Sequence, residues 1–209
     1  MRVRGVGAGA LCAVLLLPTK ATAQASAKKT ASLFAGAVAG LVVHESGHVA
    51  TSAMFGANPG TKPIHYAGIP FFAVTHEPVT RRKEFVISSA GFWMQHGGSE
   101  WLLSARPNLR HESAPFLKGV LAFNIATSVM YASAAIGRLG PPERDPLGMA
   151  NALGKNGWPE PAVGVLILAP ALLDGYRYLK PDQKWAAWAS RGVKAAFMAL
   201  TLVAGRPLP

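Results

Sequence analysis

Five consecutive residues, His44-Glu45-Ser46-Gly47-His48, put two imidazoles and a carboxylate within little more than one helical turn. Residues four apart share a helix face, so His44 and His48 can present ring nitrogens to a single cation. Glu45, one step round the helix, can reach a water held on that cation. This is the His-Glu-x-x-His pattern of zinc hydrolases, in which the glutamate is the general base and does not bind metal. From the chain's own His and Glu frequencies a chance match is expected roughly 0.006 times. The motif also lies inside an apolar tract, where three ionisable side chains in one turn are costly and mark function. The cofactor expected from these residues is Zn2+, with His44 and His48 as ligands and Glu45 as the catalytic base.

A catalytic zinc site takes three protein ligands and leaves a fourth position for water. The only cysteine is Cys12, at the extreme N-terminal end, so the third ligand must be a histidine or a carboxylate. Asp174 is expected to fill the position, being the only carboxylate inside its hydrophobic tract. Pro170, four residues earlier, removes a backbone donor and is expected to loosen the helix there, and Gly175 permits close backbone approach. Glu100, four residues after His96, is a weaker candidate, as are His65, His76 and Glu77 in a connecting stretch. Gly36 and Gly40, four apart on the motif's helix, read as a packing surface for a neighbouring helix.

The elements that must hold these groups are apolar. Half of the 209 residues are hydrophobic and 15% are charged, against about 25% charged in soluble domains. Five hydrophobic tracts, at about 31–55, 85–103, 116–137, 162–179 and 185–204, each approach the length needed to cross a bilayer. Turn residues separate them, among them Ala57-Asn58-Pro59-Gly60, Gly140-Pro141-Pro142 and Asn156-Gly157-Trp158-Pro159. Residues 1–23 read as a cleaved signal peptide: Arg2 and Arg4, an apolar stretch over 5–17, and the small-x-small site Ala21-Thr22-Ala23. Residues 24–209 then form a single transmembrane domain. The formal net charge is +11, but the basic residues stand singly or in short groups between apolar tracts. That distribution suits anionic lipid headgroups and argues against nucleic-acid binding. Lys and Arg divide evenly between alternate sides of the tracts, so the positive-inside rule gives no orientation. The expected fold class is an all-α membrane protein, a polytopic bundle of about four to five transmembrane helices.

The same residues resemble a known family. His44-Glu45-x-Gly47-His48-x-Ala50, with Phe55-Gly56 trailing, is similar to the zinc helix of the site-2 protease family of intramembrane zinc metalloproteases. The stretch Ile64-His65-Tyr66-Ala67-Gly68-Ile69-Pro70-Phe71-Phe72 resembles the family's short membrane-associated β-loop. Ala90-Gly91-Phe92-Trp93-Met94-Gln95 resembles its Ala-Gly-Pro-x-x-Asn helix, with Phe92 for the proline and Gln95 for the asparagine. Pro170 to Gly175 resembles the Leu-Asp-Gly motif that supplies the third zinc ligand. The resemblance implies metal ligation by His44, His48 and Asp174, catalysis by Glu45 and substrate binding by Gln95, a role that Asn124 in the third tract could share. An additional tract, 116–137, separates the second and last motifs here, and the second tract is the one expected to be re-entrant or broken.

The function expected is zinc-dependent hydrolysis of a peptide bond in or near a transmembrane segment of a membrane-protein substrate, in the bacterial cytoplasmic membrane. A substrate strand from such a segment would add to an edge at about 64–74. The competing readings are a non-catalytic zinc-binding membrane protein and a zinc membrane hydrolase acting on a non-peptide substrate.

Overall fold

The computed structural model describes residues 23–66, 69–153 and 160–203; the expected signal segment lies almost wholly outside them. The chain is predominantly helical: α1 (Ala23–Met54), α2 (Arg81–Ala105), α3 (Pro115–Gly137), α4 (Asp145–Ala152), α5 (Glu160–Leu179) and α6 (Lys184–Val203). Between α1 and α2 lies a hairpin of β1 (Gly60–Tyr66) and β2 (Ile69–Thr75). A single 3-10 turn, Leu109–His111, precedes α3.

All five hydrophobic tracts form helices, and each helix begins or ends where local chemistry requires. Gly56 adopts a positive φ just past the end of α1, and the Gly56 and Ala57 amides bond back to Ala53 and Ser52, the usual way an L-chain closes a helix. Pro115 opens α3 and Pro146 lies in the first turn of α4, positions where a missing N–H costs nothing. Within the described residues three helical segments are long and apolar enough to cross a membrane: Ser26–Met54, Pro115–Gly137 and Glu160–Leu179. This is fewer than the four to five expected. The other two long helices are more polar: α2 carries Ser88, Ser89, Gln95, His96, Ser99 and Glu100, and α6 carries Lys184, Arg191 and Lys194.

Helix α1 packs on α3 and α2, and α3 in turn packs on α5. The α1–α3 seam is a close backbone approach. A methyl group at Gly36 would overlap the Phe116 carbonyl, and one at Gly119 would overlap the Leu33 carbonyl. Gly40 meets the Phe123 ring on the same seam. The packing role expected of Gly36 and Gly40 is therefore met against α3.

One expectation fails: the second tract is not broken, because α2 runs continuously through Gln95-His96-Gly97-Gly98-Ser99. Its polar side chains Ser88, Ser89, Gln95, His96 and Ser99 are all buried inside the protein. Helix α5 continues through Pro170, which removes one backbone donor within it. The β-loop is present as an antiparallel hairpin with Gly60 opposite Thr75 and Tyr66 opposite Ile69.

The main apolar core lies between α2, α3, α4, α5 and α6, around Phe85, Phe92, Met149, Val163, Ile167 and Phe197. It seats the short helix α4 against the middle of the bundle. No hydrophobic tract marks α4, and the sequence reading treats its residues as connection.

Candidate metal centre

His44 and His48 are both buried, on the face of α1 turned toward α2. Their Nε2 atoms lie 3.2 Å apart. A carboxylate joins them, but from α4: Asp145 Oδ2 is 3.3 Å from His44 Nε2 and 3.4 Å from His48 Nε2. These three side chains form the group among the described residues whose nitrogen and carboxylate atoms converge as metal ligands do.

The triangle has the dimensions of one face of a tetrahedral site. Zinc bonds to histidine nitrogen and carboxylate oxygen are about 2.0–2.1 Å, so tetrahedral angles separate ligand atoms by about 3.3 Å. The observed sides of 3.2, 3.3 and 3.4 Å match that value, and two histidines with one carboxylate form a known catalytic zinc set.

Each ligand is held by a different device. His48 Nδ1 lies 2.8 Å from the Ile87 carbonyl; donating there fixes the tautomer with Nε2 free to ligate, the arrangement typical of metal-bound histidine. His44 Nδ1 is buried and, among the described residues, has no hydrogen-bond partner, so beyond its Nε2 contacts the ring is oriented by packing. Tyr131 stacks on it with ring centroids 6.0 Å apart, and Phe92 meets it edge-on at 5.6 Å. Gly91 leaves the room, since a methyl group there would collide with Cε1, Nε2 and Nδ1 of His44. The Ala90-Gly91 step, read in the sequence as part of a substrate-binding motif, thus acts in the structure as the seat of a ligand.

Asp145 opens α4, where an acidic side chain suits the positive end of the helix dipole. The preceding residue clamps it in place. Arg144 makes a bidentate pair with Glu160 at the start of α5, at 2.6 and 2.8 Å, and also donates to the Gly140 and Pro141 carbonyls. Burial alone would raise the Asp145 carboxyl; the nearby His48 and hydrogen bonding with both imidazoles outweigh it and hold the group below the ordinary carboxylate range. The side chain is thus ionised, as a metal ligand must be.

Glu45 lies between the two histidines in sequence and is half-buried. Among the described residues no hydrogen bond or ion pair occupies its carboxylate, which leaves it able to accept a proton.

The structure does not bring Asp174 to this group. Helix α5 packs on α3, α6, α2 and α4 and makes at most marginal contact with α1. The Asp174 carboxylate is instead engaged from α6, by Lys194 at 2.7 Å and Ser190 at 3.0 Å, with Arg177 at 3.8 Å. Asp145, and not Asp174, is the carboxylate that meets the two histidines. Asp145-Pro146 is a recognisable helix start, an acid followed by a first-turn proline, and that was the available signal.

Glu100, the alternative considered for a ligand, is bound by Arg177, Arg191 and Lys194. His96 is buried, with Phe92 stacked on one side and Phe197 edge-on. In the connecting stretch His65 is exposed, His76 faces Glu84 at 3.4 Å, and Glu77 accepts from Asn58. Gln95 and Asn124 do come together: Asn124 Nδ2 donates to the Gln95 carbonyl at 3.1 Å and to Ser99 Oγ at 3.0 Å. Ser128 Oγ lies 3.4 Å from Gln95 Oε1, and Gln95 Nε2 is buried with no partner among the described residues.

Comparison of the chain with family models, with curated proteins and with solved structures finds no match.

Proposed function

We propose that this chain is a zinc-dependent membrane endopeptidase with His44, His48 and Asp145 as ligands and Glu45 as general base, embedded in the bacterial cytoplasmic membrane. The observation that carries the reading is the near-equilateral triangle of two buried histidines and a partly buried aspartate, with an unengaged glutamate next to one of the histidines in the chain. A site that only stored metal would have no use for that glutamate. Bound zinc would supply Lewis acidity, bringing the deprotonation of water at the open fourth position toward neutral pH. Glu45 takes the proton as water attacks the scissile carbonyl and returns it to the leaving amine. Asp145 keeps its charge to offset that of the cation. Tyr131 and Phe92 keep bulk water from the His44 side of the site.

The β-hairpin supports a peptide substrate over other substrates. Lys62 on β1 pairs at 2.7 Å with Glu143, two residues before Asp145, so the hairpin is tied to the loop that delivers a ligand. A two-stranded sheet offers free edges, and strand addition there would hold a substrate segment extended, as cleavage of an otherwise helical peptide requires.

The test is zinc content of purified, detergent-solubilised protein together with cleavage of a membrane-protein substrate. Wild type is expected to hold about one zinc per chain, and the His44→Ala/His48→Ala double variant none. Glu45→Gln should keep the metal and lose cleavage. A Glu45→Gln protein that still cuts would refute the mechanism, and a folded wild type that takes up no zinc would refute the site.

A further inference from the structure

A second feature lies away from the metal site, where α5 gives way to α6. A cavity of about 280 Å³ opens there, lined by Ser104, Arg177, Pro181, Lys184, Trp188 and Arg191 among others. Its walls are cationic. Arg177, Lys184 and Arg191 line it and Lys194 lies behind them, whereas the acids of the cluster are Glu100 and Asp174. These four cations outnumber Glu100, Asp174 and the exposed Asp182 at the rim, which leaves an excess of positive charge where Arg177 and Lys194 are buried and Lys184 and Arg191 are exposed.

The donors are not used up. Arg177 is buried, and among the described residues its hydrogen bonds to protein leave from Nη1 alone, toward Glu100 and Ser190. A guanidinium has five N–H donors in a planar fork suited to phosphate. Lys184 is exposed at the rim and makes no hydrogen bond or ion pair among the described residues. Arg191 bridges Glu100 and Ser104 and lies over the Trp188 ring at 5.6 Å.

Aromatic residues mark the depth of this cavity. Trp101, Trp185 and Trp188 are 70%, 55% and 72% exposed, near the end of α2 and the start of α6. Tyr176 packs beside Trp185, ring centroids 5.2 Å apart. Exposed tryptophan at one end of an apolar bundle collects at the level of lipid headgroups. Below this belt the surface of α5 is apolar and exposed, through Leu172 and Val165.

We propose that this cavity binds the phosphate of an anionic phospholipid, with Arg177, Lys184 and Arg191 as the headgroup contacts and Trp188 flanking the glycerol region. The lipid supplies the negative charge that the cluster lacks and holds the start of α6 against α5.

This proposal rests on the membrane reading above, and the two fail differently. The full chain, purified in detergent, is titrated with phosphatidylglycerol, phosphatidylcholine or inorganic phosphate. Thermal midpoint and bound lipid, read by native mass spectrometry, are followed. Phosphatidylglycerol should raise the midpoint and remain bound, and the other two should do neither. Lys184→Glu should weaken retention by about fivefold or more, and Trp188→Ala, which also removes the ring under Arg191, should lower it; both side chains are exposed, and neither is itself a member of an ion pair among the described residues. Equal effects of phosphatidylcholine, or retention unchanged in both variants, would overturn the site. Inorganic phosphate matching phosphatidylglycerol would overturn the lipid assignment and leave a free-anion pocket. A protein that remains in solution once detergent is removed would instead refute the membrane reading itself.

Discussion

Two polar clusters in this protein each contain one aspartate, and they surround it with opposite kinds of partner. Around Asp145 the partners are imidazoles, held with Nε2 atoms converging on a common point. Around Asp174 the partners are Lys194, Arg177 and Ser190, whose donors end on the carboxylate itself. A carboxylate ringed by ammonium and guanidinium groups has its charge already compensated and has no room for a cation. One that meets two imidazole nitrogens converging on a common point can share a cation with them. What surrounds an aspartate therefore decides whether it ligates or braces, and that surrounding comes from other helices.

The largest expected effect separates the two clusters outright. Asp145→Ala should lower zinc affinity by more than about 100-fold, since even outer partners of metal ligands are worth about 10–100-fold. Asp174→Ala should leave zinc affinity intact and cost about 1–3 kcal/mol of stability, because buried Lys194 loses one of its two carboxylate partners and keeps only Glu100. Zinc titration and denaturant unfolding of the two variants test this directly. Loss of zinc in Asp174→Ala with Asp145→Ala unaffected would reverse the assignment. A double-mutant cycle of Asp174→Asn with Lys194→Met sharpens it. The pair should cost less than the sum of its parts, with a coupling of about 0.5–3 kcal/mol.

Next comes Gly91→Ala. The added methyl group has nowhere to go except into the His44 ring, and that ring has no hydrogen bond at Nδ1 to hold it. Zinc affinity should fall by about 10–100-fold, with a smaller stability loss of about 1–3 kcal/mol from overpacking. The same substitution at Gly97, where nothing lies within reach of an added methyl, is the control and should leave zinc unchanged. If the two behaved alike, the argument that packing orients His44 would fail. Arg144→Ala should act more mildly. It leaves Asp145 in place but removes the clamp to Glu160, and the loss of zinc affinity should be about tenfold, read by competition with a chelator.

How much of this was legible in the sequence follows from range. The five long helices are written as apolar runs, and the His44–His48 pair as a spacing of four, because both are properties of one segment. The β-hairpin was legible as a Pro- and Gly-punctuated stretch. The carboxylate that meets the two histidines was not. Asp174 has the stronger local signal, an acid in an apolar tract between a proline and a glycine, and it is occupied by charges on α6 that only folding brings near. Asp145 is in a short helix with no apolar tract of its own, delivered to α1 by the α4 contacts with α2 and α5. The second tract misled for the same reason: its polar middle is hostile to lipid but is buried by the surrounding helices. Local pattern reports what a segment contains, whereas burial and charge compensation are settled between segments.

The smallest expected effect tests how far the Asp145 cluster extends. Lys62 and Glu143 form an ion pair between the hairpin and the loop preceding α4, and the lysine is more than half exposed. Exposed pairs of this kind contribute little and are screened by salt. Lys62→Ala should therefore leave zinc content unchanged, and any slight drop in unfolding midpoint should vanish as ionic strength rises. Peptide cleavage is the sharper measurement. If the hairpin guides substrate, KM should rise with kcat nearly constant, because the change removes positioning and spares every group that touches the metal. A fall in zinc affinity would show that Asp145 depends on the hairpin as well as on Arg144, and the metal cluster would then have to be drawn to include it. No change in KM would detach the hairpin from substrate binding, and the comparison would again rest on the two aspartates alone.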